Sequence, residues 1–423
     1  MIFLKKIYGQ LFPAGARAIR GFRLLMNVYL YMLVILPSGS IFGFNVKILW
    51  FVGLLPCALW MYFGRNRATA WNTILLLLVP AVLLVWLLLA QWNGFEPVSS
   101  FGHYKDLFVT ICTLWFAALI CAEGYSASIE LLRTILFAEV ATSLLKVSLL
   151  GYAIARGVPI TTVSLWIKNI FGVSLMTYDF ASALGRIQFI SDGIIPLCVF
   201  GILCCRQRLR LKGGLAVAML LVMLISDFFA FSRYLWVYTV LAIALGLLLG
   251  KKDMFQLVLI GIVTTITLVS LPLLVTVISL RFSSKVVDSS DRDRVQQVAA
   301  LKQFWADAPL VGHGIGSYTT RVIRKDDALY SYESQLLALA GQIGVLGLSG
   351  FVLLGMYYYR GLFAWRNLGG WNCLGICLML AAWIGSGVVN PAVISSAASV
   401  SYAALLAMIR IMQVRMDVEQ NVA

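Results

Sequence analysis

Long runs of apolar residues, each near the length of a bilayer crossing, follow one another along this chain with short polar breaks between them. A helix needs about 20 mostly apolar residues to cross roughly 30 Å of hydrocarbon. On that scale the pattern predicts twelve helices, near 23–42, 47–63, 71–92, 104–122, 130–152, 185–205, 213–230, 233–250, 254–276, 334–358, 370–388 and 392–412. Two stretches interrupt the series. Residues 153–184, with Pro159, Trp166, Lys168, Tyr178 and Asp179, are too polar and broken to span, yet apolar enough to lie at an interface, which predicts a surface-lying or re-entrant helix. The second interruption is a long polar arm. The chain therefore divides into residues 1–276 with nine helices, the arm at 277–333, and 334–423 with three helices and a tail.

Within the arm, Ser290 and Asp293 have the spacing of a capping box, and Val295, Val298, Leu301 and Trp305 follow at helical intervals. The pattern predicts an amphipathic helix over 291–306, stopped by Pro309. Gly312, Gly314 and Gly316 then predict a tight turn with His313 exposed between them. The amides of such a turn can cradle an anion, and close backbone packing is the commoner reason for the glycines.

Composition narrows the class. With 61% hydrophobic and 12% charged residues and a mean hydropathy of +0.91, the chain does not suit a soluble globule. Its 33 Lys and Arg against 18 Asp and Glu give a net charge of +15. The basic residues sit in short loops, which is a membrane-orientation pattern and speaks against nucleic-acid binding. One set of alternate loops carries Lys47, Lys105, Arg156, Lys168, Arg186 and Arg233, and the other set carries the larger basic share, including Lys5, Lys6, Arg206, Arg208 and Arg210. That asymmetry predicts cytoplasmic termini and an external arm. No cleavage site follows the N-terminal basic residues, so the start is expected to stay cytoplasmic. The eight cysteines all lie in apolar runs or at their ends, and the chain has two histidines, which predicts neither disulfides nor a metal centre.

Three kinds of candidate residue remain. Arg186 and Arg233 begin helices at the same external depth; a guanidinium pair suits a diphosphate, while snorkelling arginines that anchor helix ends are the plain alternative. Glu333, in Tyr332-Glu333-Ser334-Gln335 where the arm re-enters the membrane, is placed to accept a proton, although an acid in a first helical turn is also ordinary dipole compensation. Glu139 and Lys146, seven residues apart within one span, share a helix face and are either functional or a structural pair. Arg294, Arg281, Arg292, Arg321, Tyr332 and His313 complete the candidate substrate-binding set.

Taken together, several pieces resemble the signature of the O-antigen polymerase and O-antigen ligase family (Wzy and WaaL type) over roughly residues 180–410. They are Arg294, Pro309, the GHGIGSY turn, a polar pair before L-x-x-L-x-x-x-G with a second glycine three residues on, Arg186, Arg233, and Asn390-Pro391 followed by SSAASVSYAALL. The resemblance implies an all-α polytopic protein of the bacterial inner membrane, with the arm as one long periplasmic loop: a glycosyltransferase of the C-type superfamily, free of metal and cofactor. Its substrates would be oligosaccharide and polysaccharide linked to undecaprenyl diphosphate, in contact with membrane lipid, and the family leaves room for a chain-length regulator as partner. Glu333-Ser334 stands where the ligase-like pattern has His-Asn, which favours the polymerase branch. In the implied reaction Arg186 and Arg233 clamp the donor diphosphate, Glu333 deprotonates the acceptor hydroxyl, and Arg294, with Arg281, Arg292 or Arg321, holds the acceptor diphosphate or orients the arm. A ligase acting on lipid A core is the alternative. A lipid-linked glycan flippase or transporter would need several charges deep in the spans, where the pattern offers mainly Glu139 and Lys146.

Overall fold

In hydrocarbon a spanning segment has to satisfy its backbone groups internally, so apolar runs of this length become helices. The computed structural model describes residues 16–36, 40–41, 44–62, 67–171, 176–179, 185–261, 265, 275, 279, 284–324, 328–363, 365–389 and 393–420. Among them the chain is helical almost throughout, with two short antiparallel hairpins, Ser40–Ile41 with Phe44–Asn45 and Met176–Asp179 with Gly185–Gln188. Five helices are long and apolar enough to cross a membrane: Trp71–Trp92, Pro97–Ala122, Tyr125–Arg156, Gln335–Tyr358 and Gly370–Val388. Five shorter apolar helices accompany them: Val46–Tyr62, Ile190–Cys205, Gly213–Phe228, Arg233–Leu249 and Ala398–Gln413.

The uniform series of long spans is thus not what the described residues form, and local causes are visible. The run expected to be helical from 185 opens as the strand Gly185–Gln188, paired with Met176–Asp179, and becomes helical only at Ile190. Between Gly213–Phe228 and Arg233–Leu249 the chain reverses within four residues, with Phe231 at φ 48°, a region that a bulky side chain rarely occupies. The run near 254–276 lies mostly outside the described residues. In 153–184 the helix Ile160–Phe171 buries Ile160, Val163 and Ile167 against Leu150, Ala153, Ile187 and Phe189, and leaves Leu165 and Trp166 exposed.

The last helix, Ala398–Gln420, forms the centre of the bundle and packs against Pro97–Ala122, Tyr125–Arg156 and Ile195–Cys205. Val400, Ala403, Ala404, Leu405, Ala407, Met408 and Ile411 are completely buried along it. A helix apolar on every side belongs in a core, and its alanines let neighbouring backbones approach closely.

The arm carries the helix Ser284–Asp307. It begins ahead of the predicted 291, which places Ser290 and Asp293 inside the helix and not at a cap. No glycine or proline lies between 284 and 307, so a helix nucleated at either end has nothing to stop it. Leu301 and Phe304 seat this helix on Ala338 and Gly341 of Gln335–Tyr358.

The glycine turn after the arm helix is built into a break in Gln335–Tyr358. Gly344, at φ 64° and ψ −173°, is not helical, so two helical hydrogen bonds are given up. Val345 N donates to Pro309 O at 2.9 Å and Leu346 N to Leu310 O at 3.1 Å. The freed acceptors, Gly341 O and Gln342 O, take His313 N at 2.9 Å and Gly314 N at 2.8 Å. The rest of the turn is satisfied by the two neighbouring spans. Ile315 N donates to Trp86 O at 3.0 Å, Trp86 Nε1 to Val311 O at 2.7 Å, Asn93 Nδ2 to His313 O at 3.0 Å and Ser99 Oγ to Gly316 O at 2.9 Å. A Cβ on Gly314 would lie 2.2 Å from Ala90 N, and one on Gly344 would lie 2.3 Å from Leu310 O. Close approach is what these glycines serve, and the amides of Gly312, His313, Gly314 and Ile315 are already taken by carbonyls.

Gly314→Ala and Gly344→Ala are therefore expected to lower the unfolding temperature of the detergent-solubilised protein or to prevent its accumulation, since the left-handed backbone alone costs about 1–3 kcal/mol. Gly350→Ala, on the same helix with open space around it, is expected to change stability by less than about 0.5 kcal/mol. Fluorescence-detected size exclusion after heating reads all three.

Candidate functional site

Glu333 sits just before the helix Gln335–Tyr358, outside its first turn, with Ser334 at the N-cap. Its carboxylate is held by two arginines: Arg294 Nε donates to Oε2 at 2.5 Å and Arg324 Nη2 to Oε1 at 3.3 Å. Its backbone N–H donates to Gln297 Oε1 at 3.2 Å. Arg294 and Gln297 are one turn apart on the arm helix, so that helix sets both the main chain and the side chain of Glu333. The three charged side chains are 17–32% exposed, which leaves them open to water at one edge. Burial lowers the Arg324 guanidinium from its ordinary value, against the pull of Glu333 and with the repulsion of Arg294. A guanidinium starts so far above neutrality that it remains charged. With a guanidinium on each oxygen, the Glu333 carboxylate keeps lone pairs that can accept a further hydrogen bond.

The other arm candidates take up structural positions. Tyr332 is 1% exposed, and its hydroxyl accepts from Thr319 N at 3.0 Å and donates to Thr319 O at 3.3 Å. Burial pushes its phenol up to about 12, with the Thr319 hydrogen bond opposing, so it is neutral at physiological pH and ties the loop to the helix start. His313 is half-buried, not exposed as its place between glycines suggested. Its ring stacks on Phe304 with centroids 4.2 Å apart, and Nε2 donates to Phe304 O at 2.8 Å. It closes the C-terminal turn of the arm helix. Arg321 Nη1 donates to Gln303 Oε1 at 2.5 Å, Arg292 is exposed, and Arg281 lies outside the described residues.

Arg186 lies on the strand Gly185–Gln188, where its guanidinium bonds the Gln188 side chain and its Nε donates to Ala230 O at 3.1 Å. Arg233 is the first residue of its helix. Next to it, Tyr234 donates to Ala382 O, and Leu336 packs against Gly387 just beyond. Gln335 Oε1 accepts from Val393 N at 2.9 Å and Ile394 N at 3.1 Å. These contacts bring the starts of Arg233–Leu249 and Gln335–Tyr358 to the same end of the bundle. The ion pairs of Glu333 nevertheless run to Arg294 and Arg324, so the acid and the Arg186 and Arg233 pair are neighbours in level, not partners in one ion pair.

Two groups escaped the hydropathy pattern. Arg324 sits in RVIRKDD, which reads as a solvated charge run. Asp192 and Asp227, each following a serine inside an apolar run, are the clearer omission, because an acid in such a run is itself a signal. Lys146 Nζ pairs with Asp192 Oδ2 at 2.7 Å with both side chains buried, and Asp227 Oδ2 accepts from Thr239 Oγ1 at 2.9 Å. Glu139 is fully buried nearby. Comparison with protein families, curated proteins and solved structures finds no match.

Arg324→Ala and Glu333→Gln are expected to be non-additive, with a coupling of about 0.5–1 kcal/mol for a partly exposed pair, read by a double-mutant cycle on thermal unfolding. Tyr332→Phe is expected to cost about 1–3 kcal/mol in the same measurement, because it leaves the buried Thr319 amide without its acceptor.

Proposed function

We propose that this chain is a twelve-span glycosyltransferase of the bacterial inner membrane, an O-antigen polymerase with cytoplasmic termini and a periplasmic arm. The observation that carries the reading is the placement of Glu333 at the start of Gln335–Tyr358, between two guanidiniums, at the end of the bundle that also bears Arg186 and Arg233. The meeting of the GHGIGSY turn with the break at Gly344 adds support, because it joins the two halves of the signature in one contact.

The reaction is an inverting displacement at the anomeric carbon of a growing glycan on undecaprenyl diphosphate. A hydroxyl of a lipid-linked repeat unit forms the new C–O bond. The bond to the diphosphate oxygen breaks, and the leaving group carries off the electron pair. Arg186 and Arg233 neutralise the charge that develops on the diphosphate, and Glu333 takes the hydroxyl proton. Arg294 and Arg324 hold Glu333 in one orientation until the acceptor arrives.

A transporter gains from one observation, the burial of Lys146, Asp192, Asp227 and Glu139 within the bundle. Among the described residues the buried ionisable groups beyond these, cysteines and tyrosines apart, are Lys47 and His103, each in the early part of its own helix. The charges therefore reach from one end to Glu139, near the middle of Tyr125–Arg156, without continuing across, which favours the enzyme.

Complementation of a polymerase-null strain with Arg186→Ala, Arg233→Ala and Glu333→Gln is expected to yield core capped with a single repeat. Removing one preorganised charge contact typically costs about 100-fold to 1,000-fold in rate. Full ladders from all three would end the proposal, and free polymer unattached to core in the deletion strain would identify a ligase.

A further inference from the structure

The Lys146 ammonium and the Asp192 carboxylate are 0% and 1% exposed, yet not all of the polar atoms around them are matched. Asp192 Oδ1, Asp227 Oδ1 and both oxygens of Glu139 are buried without a hydrogen-bond partner among the described residues. Burying charge in this way is weak as a source of stability, since apolar residues of similar volume often serve as well or better. A group that is expensive to bury and does not stabilise points to another role.

The hydrogen bonds show what the cluster holds. Asp192 Oδ2, besides pairing with Lys146, accepts from Phe189 N at 3.0 Å, which anchors the end of the strand three residues beyond Arg186. That strand is bound in turn to the reversal after Gly213–Phe228: Ile187 N donates to Phe229 O at 3.2 Å, and Arg186 Nε donates to Ala230 O at 3.1 Å. The reversal is pinned at its other foot, where Asp227 O accepts from Ala230 N at 3.1 Å and Asp227 Oδ2 receives the Thr239 hydroxyl from inside the helix that Arg233 begins. Between these feet Phe231 stays at φ 48°, an unfavourable backbone that only a fixed surrounding maintains.

We infer that Lys146, Asp192 and Asp227 are positioning residues that hold the strand bearing Arg186 and the turn leading to Arg233 as one unit, so that both guanidiniums grip the same diphosphate. The inference rests on the reading of those two arginines as a diphosphate clamp. A clamp loses affinity steeply when its donors shift by a fraction of an ångström, which is where a buried, directional ion pair acts and an apolar contact does not.

The test is binding of farnesyl diphosphate to the purified full-length protein in detergent, by isothermal titration, beside thermal unfolding of the same samples. Lys146→Met and Asp192→Asn are expected to weaken binding about tenfold or more in protein that remains folded. A merely structural role would lower the unfolding temperature and leave the affinity of the folded protein unchanged. Affinities equal to the unsubstituted protein in both variants, with Arg186→Ala having lost the probe, would overturn the inference alone. Retention of the probe by Arg186→Ala and Arg233→Ala would overturn the clamp reading and the inference with it. Should Lys146→Met and Asp192→Asn fail to accumulate, Thr239→Val, which removes a single hydrogen bond, is expected to weaken binding about threefold, and unchanged affinity there overturns the inference.

Discussion

The fold of the arm depends on an exchange of backbone hydrogen bonds. A helix that continued straight through Gly344 would bond Val345 to Gly341 and Leu346 to Gln342, and would leave Pro309 O, Leu310 O, His313 N and Gly314 N without the partners they have. Breaking there releases two donors and two acceptors in register with two donors and two acceptors of the turn, so two bonds become four. An unpaired amide in apolar surroundings costs several kcal/mol, on the order of 2–7 by transfer measurements, so the exchange is nearly obligatory once the turn enters. Glycine is required on both sides because the backbones approach so closely that a methyl group would overlap main-chain atoms.

From this seat the rest of the arm follows. The helix Ser284–Asp307 rests on the first turns of Gln335–Tyr358 through Phe304 and Leu301, and His313 closes its end against Phe304. Its Arg294 and Gln297 then reach the residue that precedes the next helix, Glu333. One carboxylate oxygen is thus held from a helix, through Arg294, and the other from the irregular segment that carries Arg324.

A second constraint lies inside the bundle. Among a lysine and three acids buried between apolar helices, Lys146 and Asp192 anchor the end of the strand before Ile190 and Asp227 anchors the foot of the reversal at Phe231, two places where the regular series of spans is interrupted. Both interruptions lie beside an arginine. Irregular backbone at a bundle end and charge buried beneath it occur together, with the charge supplying directional bonds that apolar packing lacks.

The sequence by itself determined that the chain is helical and apolar, where the polar arm lies, that the arm carries a helix ended by Pro309, and that the glycines after it turn. Those features come from composition and near-neighbour spacing, which act over a few residues. Only the tertiary structure decided that Ser290 is not a cap, that His313 and Tyr332 face inward, that Arg324 joins Arg294 on Glu333, and that Asp192 and Asp227 belong with Lys146. Most of these depend on contacts between groups 9 to 46 residues apart, beyond the reach of near-neighbour spacing, and hydropathy averages such residues into the runs around them. Local pattern sets which segments are helices; the pairing of backbone and charge between distant segments sets where each side chain points.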